Sequence, residues 1–186
     1  STKLQSNGQP VGFLPFERYF LRRGSMNVTL PDGIGYGTVP VVGVCDWLDG
    51  HELTRVVLPT SISDVRLDPS HTRLFSWDGE RYGDSRSRAL IADLRNGFQM
   101  QALPVERVCA LDCDDDSSVV TLSRTFDFRS RHAGSNQKTV SRVDVVRRTI
   151  QWQITPRAKL EAIAWIPYAS HILGVGQPVS SGRSDH

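Results

Sequence analysis

The feature of this sequence that most constrains its fold is a pattern of apolar residues and turns that recurs at nearly constant intervals. In three places, two alternating apolar residues precede a proline, and two adjacent apolar residues follow it. The prolines are Pro15, Pro69 and Pro167, and a weaker copy centres on Asp114, where aspartates replace the proline and the second apolar residue. These landmarks are 54, 45 and 53 residues apart. Such regular spacing predicts a chain built from repeats of one supersecondary unit.

Two further landmarks recur with similar spacing. The segments VVGVCDWLDG and RALIADLRNG place Asp46 and Asp93 in register, 47 residues apart. Leu58-Pro59, Leu103-Pro104 and Thr155-Pro156 mark the ends of units at intervals of 45 and 52 residues. The sequence thus predicts one β-repeat domain at 11–176, with polar tails at 1–10 and 177–186. Its units are expected near 11–59, 60–104, 105–156 and 157–176.

Each unit has the composition of several short β-strands. Runs rich in Val, Ile, Leu, Phe and Thr are bounded by turn residues, and helical spacing is nowhere sustained beyond about one turn. The best helical candidate, residues 157–165, falls where the repeat assigns a strand. A mean period of about 51 residues is typical of propeller blades. We therefore predict an all-β fold of antiparallel, propeller-like repeats with an incomplete last unit, and a β-sandwich or jelly roll as the alternative.

The segments ISDVRLDPSHTRLF and ALIADLRNG resemble the broad WD40-like and YVTN-like β-propeller repeats. In these repeats, alternating apolar residues and a Pro-Asp-Gly turn precede a strand that ends in Asp-Leu-x-x-Gly. The resemblance covers about 11–176, but no Gly-His pair opens a unit, and Trp77-Asp78 falls in the second strand and its turn. The resemblance implies a scaffold with loop-covered faces, a type of fold that makes protein contacts more often than it catalyses reactions.

Composition narrows the class of protein further. Lys and Arg number 22 against 20 Asp and Glu, so net charge gives no argument for nucleic-acid binding. No run of about 18 apolar residues is present, and the N-terminal segment lacks the pattern of a secretory signal, so we expect no membrane association. Three cysteines favour a reducing compartment, and we expect an intracellular, cytoplasmic protein.

Three residue clusters suggest chemistry, and each has a simpler structural interpretation. Asp112 and 114–116 offer oxygen ligands for a hard cation but lack the Gly and Glu of an EF-hand, so a solvated turn is expected. Cys109 and Cys113 lack two further zinc ligands nearby, which favours thiols buried in strands. No G-x-S-x-G elbow accompanies the five histidines. The sequence therefore predicts no catalytic residue, metal site or cofactor.

Charged loops become informative once the repeat is imposed, because equivalent loops of successive units emerge on the same side. The connections between second and third strands carry a basic set on one side: Arg81, Arg86, Arg88, Arg129, Arg131 and Lys138. The opposite side receives Asp68, the 112–116 cluster and the Asp46/Asp49 turn. We predict a basic loop face that binds an acidic partner.

The last unit ends after its second strand, which leaves a hydrogen-bonding edge at Ile172, Leu173 and Val175. We expect a protein partner, a second copy or a further chain segment to complete it. The sequence thus favours a non-enzymatic protein-interaction scaffold, a part or subunit of a larger assembly. The alternatives are a viral capsid-like β-sandwich shell subunit and a hydrolase or lyase on a propeller.

Overall fold

The computed structural model describes residues 9–13, 18–29, 36–58, 62, 64–77, 88–113, 117–124, 138–166 and 171–177. These residues form β-strands and one short 3-10 helix, Leu94–Asn96. The expectation that helix is a minor component is confirmed, and most of the helical candidate at 157–165 belongs to a strand. Among the described residues, no helix has the length and apolar character needed to cross a membrane.

Four antiparallel sheets follow one another along the described chain, and each sheet pairs only consecutive strands. The first sheet contains β1 (Gln9–Phe13), β2 (Tyr19–Thr29), β3 (Tyr36–Asp46) and β4 (Glu52–Val57). The second contains β5 (Asp64–Leu67), β6 (Arg73–Trp77), β7 (Arg88–Asp93) and β8 (Met100–Glu106). The third contains β9 (Val108–Cys113), β10 (Ser118–Arg124), β11 (Lys138–Asp144) and β12 (Thr149–Ile154). Within the described ranges the fourth has two strands, β13 (Lys159–Ile166) and β14 (His171–Gln177).

This topology confirms the repeat derived from the sequence. The apolar landmarks at Val65, Ala110 and Ile163 lie in β5, β9 and β13, which are the first strands of three successive sheets. The sheets are separate, so the alternative of a β-sandwich or jelly roll is wrong for the described residues. The limits of the domain stay a prediction; the first described strand begins at Gln9 and the last ends at Gln177.

The sheets pack face to face through three apolar clusters. The first and second sheets meet through residues that include Leu21, Val44 and Leu74, and the second and third through a cluster around Phe75. A third cluster joins the third and fourth sheets. Because neighbouring residues of a strand point to opposite faces, Leu74 and Phe75 fill two different clusters. The second strands of the second and third sheets are therefore buried on both faces, which explains why β6 and β10 have buried residues along almost their whole length.

The turn after each third strand repeats the same geometry. The last residue of the third strand is an aspartate whose Oδ1 accepts a hydrogen bond from the amide two residues later. The pairs are Leu48 N to Asp46 at 3.0 Å, Arg95 N to Asp93 at 2.9 Å and Val146 N to Asp144 at 3.0 Å. The residue four positions after each aspartate has a left-handed backbone: φ is 70° at Gly50, 72° at Gly97 and 55° at Arg148. Asp144 is a third copy of this landmark, and the glycine that would have revealed it is replaced by Arg148.

Candidate interaction surfaces

Asp112 does not lie in a solvated turn, as the sequence suggested, but is buried in β9. One guanidinium nitrogen of Arg66, in the second sheet, lies 2.9 Å from its Oδ1, and the amide of Trp165, in the fourth sheet, donates to its Oδ2 at 2.7 Å. Asp112 thus connects three successive sheets, which explains why a carboxylate replaces the apolar residue of the other units. Residues 114–116 of the predicted cation cluster lie outside the described residues. The contacts of Asp112 therefore stabilise the packing of the sheets.

The cysteines occupy strands, in agreement with the sequence, but Cys109 and Cys113 are only half-buried. Cys45 is fully buried, and this burial raises the pKa of its thiol. Among the described residues, no three or more His, Cys, Asp or Glu side chains are grouped closely enough to hold a metal ion.

Two of the aspartates expected to form an acidic side, Asp46 and Asp68, accept hydrogen bonds within their own turns. Asp68 is buried and accepts hydrogen bonds from the amides of Thr72 at 2.7 Å and Arg73 at 2.8 Å. Asp46 accepts the Leu48 amide and also the Nε–H of Arg18 at 2.7 Å. These two donors hold the pKa of Asp46 below its usual range, with the Leu48 amide as the larger cause. Asp46 and Asp68 therefore stabilise turns.

The structure describes two members of the predicted basic loop face. Arg88 and Lys138 are the first residues of β7 and β11, so they lie on the same side of successive sheets. The Nε of Arg88 lies 3.3 Å from Oε1 of Glu106, and Lys138 is almost completely buried. The other four members, Arg81, Arg86, Arg129 and Arg131, lie outside the described residues.

Two cationic residues that sequence reasoning missed lie at the same side of the third sheet. Arg124 ends β10 and pairs with Lys138 in the strand register, and its amide donates to the carbonyl of Arg107 at 3.1 Å. Arg107 stands between the second and third sheets, at the end of β8. The position of Arg124 beside Lys138 depends on the register between β10 and β11, which the spacing of landmarks does not determine.

The fourth sheet exposes an apolar face, which we call the outer face of the fourth sheet. Its inner face packs on the third sheet through residues that include Ile163, Trp165 and Ile172. On the outer face, Ala162 pairs with Val175 and Ala164 with Leu173, and Ile166 extends the same row. Leu173 is 54% exposed and Val175 is 57% exposed. Large apolar side chains at this exposure are typical of contact surfaces when they are contiguous.

The edge of β14 is also open within the described ranges. In each of the other three sheets the second strand pairs with a third strand along this edge: β2 with β3, β6 with β7 and β10 with β11. Among the described residues β14 pairs only with β13. Within the described part of the chain, no strand therefore pairs with this edge, which is where a further strand would add.

The face of the first sheet that points away from the second sheet is charged. Arg22 and Arg55 both oppose Gly43 in the strand register, and Glu52 opposes Cys45 on the same face. The Nε of Arg55 lies 2.5 Å from Oε1 of Glu52, and a terminal nitrogen of Arg22 lies 3.8 Å from its Oε2. The two ends of the array thus differ in chemistry, because one is ionic and the other apolar.

A cleft of about 410 Å³ opens between the second and third sheets, on the side of the turns that follow the third strands. Its lining combines apolar, amide and charged residues: Arg73, Ile91, Asp93, Asn96, Gln99, Gln101, Val145 and Val146. Ile91 and Val145 are nearly buried and form its apolar floor, whereas Val146 is 66% exposed at its rim.

No protein-family model matches the sequence, and no curated protein matches it. Among solved structures, U3-55K is similar to 95% of this chain with a TM-score of 0.58 at 10% identity. The Cps50 (Swd1) β-propeller domain of Myceliophteria thermophila is similar over the same share, with a TM-score of 0.55 at 10% identity. The β-propeller domain of the Trilobed protease from Pyrococcus furiosus matches 84% of the chain, with a TM-score of 0.54 at 9% identity. The fold is that of a β-propeller.

At these identities the similarity concerns the fold. The chain spans 48%, 65% and 44% of the lengths of these three structures, less than two thirds of each. The succession of four-stranded antiparallel sheets packed face to face is thus shared with propellers, while the residues of the surfaces described above are this chain's own.

Proposed function

We propose that this chain is a non-enzymatic protein-interaction scaffold that forms part of a larger assembly, with blades of the WD40-like or YVTN-like type. The observation that carries the proposal is the outer face of the fourth sheet, where Leu173 and Val175 are more than half exposed beside a strand edge that no other described strand pairs with. Burying such a face removes apolar surface from water at about 25 cal/mol per Å². The absence of disulfides among the three cysteines is in keeping with an intracellular location, which we include in the proposal.

The proposed occupant is a β-hairpin of another polypeptide segment, which adds a third and a fourth strand to β14. The other sheets of the same chain supply the argument, because each places an antiparallel third strand against its second strand. The third strand of the second sheet, β7, contributes apolar residues to the clusters on both of its faces, because Ile91 and Ala92 belong to two different clusters. A partner strand with alternating apolar residues would continue this packing and satisfy the edge of β14.

A second copy stacked head to tail fits this surface poorly. Such a copy would place its first sheet on the outer face of the fourth sheet, and would cover the exposed parts of the Arg22 and Arg55 side chains with apolar residues of that face. Removing a charged cluster from water against an apolar surface is unfavourable unless new partners replace the water. We therefore favour a different polypeptide segment over self-association by this route.

A photo-crosslinking residue at position 173 tests the proposal in cells that express the full chain. We expect a discrete crosslinked product whose attached peptide, identified by mass spectrometry, is an extended segment with alternating apolar residues. The same crosslinker at Gln151, an exposed position of β12, is the matched control and should give no such product. A purified partner should then bind the wild-type chain and lose affinity for Leu173→Lys. A non-aggregating 20.7 kDa monomer that forms no specific crosslink at position 173 would contradict the proposal.

The basic loop face remains a second proposed surface, for a partner with an acidic patch. Its support is that Arg88 and Lys138 begin equivalent strands of neighbouring sheets, next to the loops that carry Arg129 and Arg131. Association through such a face should weaken as salt rises, because salt screens exposed charges. Reversal of charge at Arg129 and Arg131 together should weaken binding, and unchanged affinity for every partner would dismiss this surface.

A further inference from the structure

The cleft between the second and third sheets is separate from the outer face of the fourth sheet and from the basic side. It lies where the apolar cluster between these sheets reaches the turns after β7 and β11. Its volume of about 410 Å³ falls within the range of small-ligand sites, although the cleft is open to solvent. Ile91 and Val145 belong to the buried cluster, so a side chain entering the cleft meets a rigid apolar floor.

The charges of the cleft do not select a charged ligand. Arg73 and Asp93 oppose each other in the register between β6 and β7, so one positive and one negative group lie at the same level. Asp93 already accepts hydrogen bonds from the amide of Arg95 at 2.9 Å and from Nδ2 of Asn96 at 3.1 Å. A phosphate would face this carboxylate, and a cation would face the guanidinium. The cleft therefore favours an uncharged ligand.

Two carboxamides supply the polar groups of the wall. Gln99 and Gln101 line the cleft and are exposed, and their side-chain carboxamides make no hydrogen bond to another described residue. Gln101 is the second residue of β8 and Gln99 immediately precedes this strand, so two carboxamides two positions apart line the same cleft. The outward-facing backbone N–H and C=O groups of an extended peptide recur with the same two-residue period. Each carboxamide offers both a donor and an acceptor, as a peptide group requires.

We propose that this cleft binds an extended, uncharged peptide segment of about three residues. Its central apolar side chain packs on Ile91 and Val145, and its backbone forms hydrogen bonds with Gln99 and Gln101. The cleft is a second contact site on the same chain, and its occupation does not depend on the completion of the fourth sheet.

Titration of the full, isotope-labelled chain with the capped tripeptide acetyl-Ala-Leu-Ala-amide tests this proposal by amide NMR. We expect saturable shifts concentrated at residues 91, 99–101 and 145–146, and weaker binding of the versions with a central Asp or Lys. Substitution of both carboxamides, Gln99→Ala with Gln101→Ala, should weaken binding at least about fivefold, since each neutral hydrogen bond contributes about 0.5 kcal/mol or more. The matched control is Gln151→Ala, an exposed glutamine of β12 outside the cleft, and it should bind like the wild type.

Filling the cleft provides a second test that leaves its wall intact. Val146→Trp changes an exposed rim residue, so the fold should persist while the tripeptide is excluded. Absence of saturable shifts, equal binding of the Leu, Asp and Lys peptides, or unchanged affinity of the double glutamine variant would each overturn the proposal. Leu173→Lys should leave tripeptide binding unchanged, so failure at the cleft and failure at the fourth sheet are distinguished.

Discussion

The turn after the third sheet's β11 should gain stability when Arg148 is replaced by glycine. Arg148 has φ of 55°, in the region where the side chains of L-residues crowd the backbone, whereas the equivalent positions in the first two sheets are Gly50 and Gly97. A non-glycine residue in the left-handed region costs about 1–2 kcal/mol. Replacement by glycine also increases the conformational entropy of the unfolded chain, which lowers the stability by about 0.4–1 kcal/mol. The net expectation is a gain of about 0.5–1 kcal/mol.

The reciprocal substitutions should destabilise. A Cβ added at Gly50 or Gly97 would meet no atom within 4 Å, so crowding by neighbours does not contribute to Gly97→Ala. The remaining effect is backbone strain, reduced by the lower entropy of the unfolded chain, which gives a loss of about 0.5–1 kcal/mol. Arg148→Ala is the matched control for Arg148→Gly, because it removes the same exposed side chain and keeps the strain.

Urea unfolding followed by circular dichroism measures these differences as free energies of unfolding. The four proteins to compare are the wild type, Arg148→Gly, Arg148→Ala and Gly97→Ala. In thermal unfolding, each kcal/mol should correspond to roughly 2–4 °C for a chain of this size. Arg148→Gly should be the most stable variant, Arg148→Ala should resemble the wild type, and Gly97→Ala should be the least stable. If Arg148→Gly is no more stable than Arg148→Ala, the structural equivalence of the three turns does not extend to their energetics.

Three further predictions use the same unfolding measurements. Asp112→Ala should lower the free energy of unfolding by about 2–3 kcal/mol, because the partly buried amide of Trp165 and the guanidinium of Arg66 both lose their acceptor. Asp112→Asn should lose less, and equal losses would refute this role. Folding lowers the pKa of Asp46. The ionised carboxylate should therefore contribute fully to the free energy of unfolding above the unfolded pKa near 4, and this contribution should vanish as pH falls through the lower folded pKa. Asp46→Asn should therefore flatten the acid limb of a stability–pH curve, and an unchanged limb would exclude that linkage. Leu173→Lys should change the free energy of unfolding by less than about 0.5 kcal/mol, because Leu173 is exposed. Ile172→Lys, on the packed face of the same strand, should lower it by more than about 1 kcal/mol. Similar effects of the two substitutions would mean that the faces are misassigned.

The sequence predicted only some of the candidate surfaces. The open edge of the last unit follows from counting strands, and the structure places Ile172 and Leu173 in β14 as expected. Which of these two neighbours is exposed depends on the side from which the third sheet packs. The cleft at Gln99 and Gln101 was not predicted, because it exists only where two sheets of separate units diverge. The basic loop face stays a prediction, since four of its six residues lie outside the described part of the chain.

The sequence by itself determined most of the strands and their grouping into repeats, because these depend on local alternation, turn residues and spacing. It did not reveal the third aspartate turn, since Arg148 occupies the place of the diagnostic glycine and only the backbone shows that φ is positive. Only the tertiary structure decided the role of Asp112. Its partners, Arg66 and Trp165, are 46 and 53 residues away and reach it because three sheets stack in order. Local sequence specifies how a strand pairs with its neighbour, whereas the packing of sheets decides which side chains become buried together.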